Sequence, residues 1–135
     1  MINQFKMNTK LIMIASSLIM GGLGVIASFF PDEILRSFEQ TPTDILRLFV
    51  QITGALYLGF AVMNWMAKTV LIGGIYARPL CIGNFSHFVI AGLALVRAVI
   101  NNSTIKYLWV LTVIYLIFAL LFSFVLFTSP KQVKK

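Results

Sequence analysis

Four long apolar runs restrict what this chain can fold into more than any other feature of its sequence. A bilayer core about 30 Å thick needs about 20 helical residues to cross it, and each run is long enough. Unbroken runs favour helices, because membrane β-strands are short alternating segments. The sequence therefore predicts four transmembrane helices, spans 1 to 4, at about Leu11–Phe30, Ile45–Ala67, Leu80–Ile100 and Tyr107–Thr128.

Composition indicates the same class of protein. Hydrophobic residues make up 59% of the 135 residues and charged residues 11%, whereas a soluble domain has about 45–50% apolar and about 25% charged residues. The mean hydropathy is +0.93. A soluble core of this size could not bury so much apolar surface, so the surplus must face lipid. We expect one domain, residues 1–135, that is all-α: an antiparallel four-helix transmembrane bundle whose short loops join neighbouring spans.

Span 1 also has to be compared with a cleavable signal peptide. Its apolar stretch of about 19 residues is longer than the 7–15 typical of a signal. We expect the span to be retained, with cleavage as the alternative.

Basic residues predict the orientation, because Lys and Arg near spans concentrate on the cytoplasmic side. In a four-span protein the N-terminus, the second loop and the C-terminal tail share one side. They carry seven basic residues, whereas the other side carries four basic residues and all four acids. We therefore expect both termini to be cytoplasmic. The seven are Lys6, Lys10, Lys68, Arg78, Lys131, Lys134 and Lys135.

The first loop, "PDEILRSFEQTPTD", is the only sizeable segment between spans. Ile34, Leu35 and Phe38 have helical spacing between charged residues, which predicts a short amphipathic helix. Thr41 followed by Pro42 indicates an N-cap and a first helical position, so span 2 is expected to begin there.

Each span carries a stripe of small or polar residues, through which helices associate in a bilayer. The stripe of span 4 is the thinnest, so we expect span 4 to be the most exposed to lipid and Phe118, Phe122, Phe124 and Phe127 to face lipid. The stripes are Ser17, Gly21, Gly24 and Ser28; Arg47, Gln51, Gly54, Tyr57, Ala61, Asn64 and Lys68; Asn84, His87, Ala91, Ala94 and Ala98; and Thr112, Tyr115, Ala119 and Ser123.

A polar cluster on spans 2 and 3 is the candidate ligand-binding site. Ionisable residues within spans are costly and mark candidates for function. At 1.5 Å per residue His87 lies about 12 Å beyond Pro79, near the middle of the membrane. It is either a structural histidine, satisfied by Asn64 or Asn84, or a contact to a ligand. The candidate residues are Tyr57, Asn64, Lys68, Arg78, Asn84 and His87.

Arg47 and Gln51 form a second polar pair near the opposite end of span 2. Asp44 precedes Arg47 by three residues, so a local ion pair is the simplest interpretation. A contact from Arg47 and Gln51 to an anionic group is the alternative.

The sequence does not favour catalysis, a metal site or a cofactor. No acid lies within a span, and there are one histidine and one cysteine, Cys81. A metal site would therefore lack ligands, and no set of nucleophile and base is visible. Nucleic acid is not an expected partner either, because the basic residues flank spans singly or in pairs.

The segments "RLFVQITGALYLGFAVMNWMAK" and "ARPLCIGNFSHFVIAGLALV" resemble small bacterial four-helix membrane proteins grouped as DoxX-like. At residue level the resemblance rests on Gly54–Gly59 and the start of span 3. It implies a bundle in the bacterial inner membrane and, as for some members of the group, an accessory role beside quinone or redox enzymes. It assigns no site residues.

Three hypotheses follow. The first is a non-catalytic protein that holds a lipid, isoprenoid or quinone in an inner-leaflet polar cavity between spans 2 and 3. The second is an accessory or scaffold subunit that binds a membrane partner or forms a homo-oligomer. The third is an oligomeric channel or transporter, which is disfavoured because no inverted repeat or interrupted helix is visible.

Overall fold

A computed structural model describes residues 9–69 and 77–127, and all of their regular structure is helical. This confirms the predicted all-α fold. Each predicted span boundary that falls in these residues lies within two residues of the corresponding end of an observed helix. Gly73-Gly74 of the second loop, Lys6 and the basic C-terminal tail lie outside the described residues. The helices are α1 Thr9–Phe29, α2 Pro31–Ser37, α3 Asp44–Ala67, α4 Arg78–Asn101 and α5 Lys106–Phe127.

The four long helices correspond to the four predicted spans. Each is long and apolar enough to cross a membrane, which is compatible with a small multi-pass membrane protein. The arrangement is consistent with a four-helix bundle. The fifth helix, α2, is the short helix predicted in the first loop, and its Leu35 side chain is buried while Glu33 and Arg36 are exposed.

The start of α3 differs from the prediction. Thr43, not Thr41, is the N-cap, and its side-chain oxygen accepts a hydrogen bond from the Leu46 amide at 3.4 Å. Pro42 therefore precedes the helix, and Asp44 occupies its first position. Both threonines are suitable N-cap residues. The cap at Thr43 places the Asp44 carboxylate in the first turn, where negative charge is favourable.

Close backbone approach joins α1 to α3. A Cβ atom added to Gly24 would lie 3.0 Å from the Gly54 oxygen, and one added to Gly54 would lie 2.7 Å from the Ser28 nitrogen. Towards the other end of the pair, Ser17 donates a hydrogen bond to the Ala61 oxygen at 2.7 Å. Residue numbers on α3 fall as those on α1 rise, so these two helices run in opposite directions. The small-residue stripes predicted for spans 1 and 2 thus meet here.

Aromatic rings join α4 to α5. The Phe88 ring stacks on Phe118 and Phe122 at centroid distances of 5.0 and 5.6 Å. The prediction that Phe118 and Phe122 face lipid is wrong, because they are 5% and 0% exposed. Large rings fill this seam where small residues are few. Phe124 and Phe127 are exposed as predicted.

Among the four long helices, α3 and not α5 has the fewest buried residues. Seven residues of α5 are buried, whereas α3 buries only Gly54, Ala61 and Asn64. The prediction that span 4 is the most exposed span was therefore wrong. The small residues of α3 pack against α1 along a narrow strip, whereas the bulky side chains of α5 form a broad buried face.

Gly54→Ala tests the close approach of α1 and α3. The added methyl group would overlap the backbone at Ser28 and force the helices apart, which typically costs about 1–3 kcal/mol. We expect the free energy of unfolding to fall by that amount in a detergent-unfolding titration.

Gly59→Ala is the matched control, because a Cβ atom at Gly59 meets nothing within 4 Å. Alanine is a better helix former than glycine by up to about 1 kcal/mol, so this variant should be as stable as the wild type or more so. Equal effects of the two substitutions would contradict the proposed role of Gly54.

Candidate binding site between the two helix pairs

Two asparagines connect the α1–α3 pair to the α4–α5 pair. The backbones of the two pairs approach each other at few points. The Asn64 amide donates to Asn84 Oδ1 at 2.8 Å, and the Asn84 amide donates to Asn64 Oδ1 at the same distance. Both side chains are fully buried. The pair is therefore a reciprocal amide bridge, which we call the asparagine bridge.

The asparagine bridge is also hydrogen-bonded to the helices on either side. Asn64 Nδ2 donates to the Ser16 hydroxyl of α1 at 3.0 Å, and that hydroxyl donates to the Met13 oxygen at 3.0 Å. Asn84 Nδ2 also donates to the Leu80 oxygen, one turn earlier on α4, at 3.0 Å. Because both amides are engaged in this way, the bridge joins α1, α3 and α4.

A second polar contact links α3 to α5. The Tyr115 hydroxyl donates to the Tyr57 hydroxyl at 2.7 Å. Tyr115 is fully buried, whereas Tyr57 is only partly buried. Because the Tyr57 oxygen accepts this bond, its own hydrogen remains available, and no described residue accepts it.

His87 lies between the asparagine bridge and the two tyrosines. Its ring centroid is 5.6 Å from those of Tyr57 and Tyr115 and 5.0 Å from that of Phe60. Phe88 adds a further ring at 5.2 Å. The Nε2 atom of His87 is buried and has no hydrogen-bond partner among the described residues. No hydrogen bond joins His87 Nε2 to Asn64 or Asn84, which bond to each other instead.

The structure thus brings together four of the six predicted site residues. Tyr57, Asn64, Asn84 and His87 lie at one junction. Lys68 instead places its ammonium 3.1 Å from the centroid of the Trp65 ring. Arg78 is the exposed first residue of α4. Whether any of the six contacts a ligand stays a prediction.

Sequence reasoning did not assign two aromatic residues to this site. Tyr115 was predicted to lie on a helix seam, which its burial agrees with, but not to pair with Tyr57. Phe60 had no distinguishing signal, because any apolar residue could face lipid there. Depth was only an approximate signal for Tyr115, because with spans 2 and 4 aligned by their ends it lies about one helical turn from the level of Tyr57.

The second polar pair has its own partners. Arg47 donates to Asp32 through Nε at 2.6 Å and through Nη2 at 3.3 Å, and to Asp44 through Nη1 at 2.8 Å. The ion pair with Asp44 was predicted, whereas the bidentate pair with Asp32 of α2 was not. Gln51 Nε2 donates to the Ser28 oxygen at 3.5 Å. An external anion would have to displace two carboxylates, so anion contact by Arg47 and Gln51 stays an untested prediction.

Chemically, the junction offers neutral hydrogen-bonding groups among aromatic rings. The described residues contain no group of three or more His, Cys, Asp or Glu side chains placed to hold a metal ion. Cys81 is buried in the α4–α5 seam, with its sulfur 3.9 Å from the Phe122 oxygen.

Comparison with known proteins gives no match to a family model, to a curated protein or to a solved structure. The geometry of the junction is therefore the basis for a function.

Asn64→Leu tests the asparagine bridge. It leaves the Asn84 amide buried without its partner, and an unsatisfied buried polar group costs about 1–3 kcal/mol. We expect that loss in the free energy of unfolding of Asn64→Leu and of Asn84→Leu. The double variant should lose less than the sum, because it leaves no orphaned amide; strictly additive losses in this double-mutant cycle would contradict the bridge.

Asp32→Asn tests the ion pair that holds α2 against α3. Hydrogen bonds from Arg47 lower the pKa of the Asp32 carboxyl below its ordinary value. A carboxyl with a lowered pKa stabilises the folded state above its unfolded pKa of about 3.9, and this contribution disappears as the pH falls through the folded value. The wild type should therefore unfold at a higher temperature than Asp32→Asn at neutral pH, and the two should converge below about pH 4.

Glu33→Gln is the control, because Glu33 is exposed and forms no ion pair with a described residue. It should leave the unfolding temperature and its pH dependence unchanged. A difference between Asp32→Asn and the wild type that persists unchanged at low pH would show that ion pairing is not the cause.

Proposed function

We propose that this protein is a small multi-pass protein of the bacterial inner membrane, with cytoplasmic termini, that holds the polar head of an amphiphile at His87. The amphiphile is an isoprenoid, a quinone or a lipid. The observation that carries the proposal is the buried Nε2 atom of His87, which has no partner among the described residues. A bound head group would supply that partner.

The buried Nε2 atom of His87, unsatisfied within the part of the chain that the structure describes, lowers the stability of the folded protein. A buried donor or acceptor without a hydrogen bond costs about 1–3 kcal/mol. An isolated structural histidine would carry that cost without compensation, whereas a ligand carbonyl or hydroxyl at Nε2 would remove it. The Tyr57 hydroxyl supplies a second hydrogen-bonding group beside the imidazole, because it accepts from Tyr115 and keeps its own hydrogen.

The surroundings favour a flat, mostly apolar head group with polar oxygens. The rings of Tyr57, Phe60, Phe88 and Tyr115 all lie within 5.6 Å of the His87 ring, measured between centroids. Aromatic side chains with a few polar groups are typical of small-molecule sites. Of the three amphiphiles, a quinone fits this description best, because it combines a planar ring with two carbonyl oxygens.

The proposal assigns different roles to the predicted site residues. His87 and Tyr57 contact the head group. Asn64 and Asn84 hold the two helix pairs at the separation that the site needs. Lys68 and Arg78 lie away from the junction and contact lipid head groups at the membrane surface.

An accessory subunit would need an interface that does not include the asparagine bridge. The two asparagines are fully buried within one chain, so they do not form an interface with another protein. A partner or a second copy would use other surfaces, and the DoxX-like resemblance favours an accessory role beside a quinone or redox enzyme. The amphiphile site is compatible with that role, and channel or transport function stays an untested alternative.

His87→Phe tests the proposal with a side chain that fills similar space without a nitrogen. We expect binding of decylubiquinone to the purified full-length protein to weaken about 10-fold, the equivalent of one lost hydrogen bond. Native mass spectrometry at several quinone concentrations measures this. The unfolding temperature should not fall, because the variant removes an unsatisfied atom.

Tyr57→Phe should weaken the same binding, and Tyr107→Phe is its matched control. Tyr107 is exposed in the first turn of α5, away from the junction, so its hydroxyl should not matter. Decylubiquinone binding by His87→Phe equal to that of the wild type would overturn the proposal. Farnesol and phospholipid titrations in parallel identify which class of amphiphile depends on His87.

A further inference from the structure

A groove on the surface between α1 and α3 lies outside the site described so far. It has a volume of about 440 Å³, and its lining includes Leu18, Gly21, Gly22, Val62 and Trp65. The groove is open along its length and does not enclose a cavity. None of these residues takes part in the asparagine bridge or contacts the His87 ring.

Two consecutive glycines keep the groove open. A Cβ atom at Gly22 would meet nothing within 4 Å, and one at Gly21 would lie 3.6 Å from the Ala61 side chain. Leu18 and Val62, which are 64% and 58% exposed, also line the groove. The lining is therefore mostly hydrocarbon.

A positive charge lies beside one end of the groove. Trp65 lines the groove, and the Lys68 ammonium lies 3.1 Å from the centroid of the Trp65 ring. Lys68 forms no ion pair with a described residue. An ammonium group has three donors, and tryptophan is enriched where membrane proteins meet lipid head groups. An apolar trough that ends at a tryptophan and a lysine matches an acyl chain that ends in a negatively charged head group.

We propose that this groove binds an anionic phospholipid, with an acyl chain over Gly21 and Gly22 and the phosphate at Lys68. The complementarity is specific in two respects. The open glycines provide room for a chain beside the helices. The charge of Lys68, which forms no ion pair within residues 9–69 and 77–127, favours an anionic over a zwitterionic lipid. The proposal rests on the membrane location in the proposed function, but not on an amphiphile at His87.

Native mass spectrometry of the full-length protein, released from nanodiscs of equal phosphatidylglycerol and phosphatidylcholine, tests the groove. We expect the wild type to retain phosphatidylglycerol preferentially. Lys68→Gln should reduce that preference about five-fold, the factor that corresponds to one basic side chain at an anionic surface. Gly22→Leu should reduce retention of both lipids, because its side chain occupies the space of the acyl chain.

Gly59→Leu is the matched control, because Gly59 is an exposed, open helical glycine that does not line the groove. It should retain lipid as the wild type does. Lys68 is at the C-cap of α3, so Lys68→Gln gives a result even if Gly22→Leu fails to fold. His87→Phe should keep the phosphatidylglycerol preference, which separates failure of this proposal from failure of the quinone site.

Three outcomes would overturn the proposal. The first is a phosphatidylglycerol preference that Lys68→Gln leaves unchanged. The second is folded Gly22→Leu that retains lipid as Gly59→Leu does. The third is a wild-type dimer that Gly22→Leu converts to a monomer with no change in lipid retention, because the groove would then hold a second copy of the chain.

Discussion

The reciprocal hydrogen bonds between Asn64 and Asn84 are the interaction on which the rest of the structure depends. Apolar side chains give helices little reason to associate in lipid, where the surroundings are equally apolar. The two helix pairs approach each other at few backbone positions, so buried side chains must hold them together. His87 follows Asn84 by three residues and Tyr57 precedes Asn64 by two helical turns, and the asparagine bridge therefore sets how the imidazole and the phenol face each other.

The helices could be predicted from the sequence because each apolar run has clear ends. Their seams could be predicted only in part. The stripe of Gly24, Gly54 and Ala61 identifies a close contact, since only small residues allow it. The sequence gives no comparable signal for Phe118 and Phe122, because phenylalanine packs equally well against another helix and against lipid. The choice between Thr43 and Thr41 as N-cap was also open, since both residues can cap a helix.

The candidate site, too, could be predicted only in part. Of the six candidate residues, Tyr57, Asn64, Asn84 and His87 lie at one junction, whereas Lys68 and Arg78 do not, and contact with a ligand stays a prediction. Which polar groups bond to each other could not be predicted, because Asn84 and His87 are one turn apart on the same side of α4 and either could have faced Asn64. The bidentate contact between Arg47 and Asp32 was not predicted for a related reason. It depends on the angle at which α2 packs against α3, and residue spacing along the chain does not determine that angle.

The division into two helix pairs has a consequence for biosynthesis. The contacts that join α1 to α3 lie within residues 9–69, and those that join α4 to α5 lie within residues 77–127. During synthesis the N-terminal part of a chain is available to fold first. The α1–α3 pair, the first hairpin, can therefore form before the α4–α5 pair, the second hairpin, has left the ribosome. Asn84, the partner of Asn64, is synthesised 20 residues later. Until the second hairpin arrives, the Ser16 hydroxyl of α1 is the hydrogen-bond partner that the first hairpin supplies to the Asn64 amide.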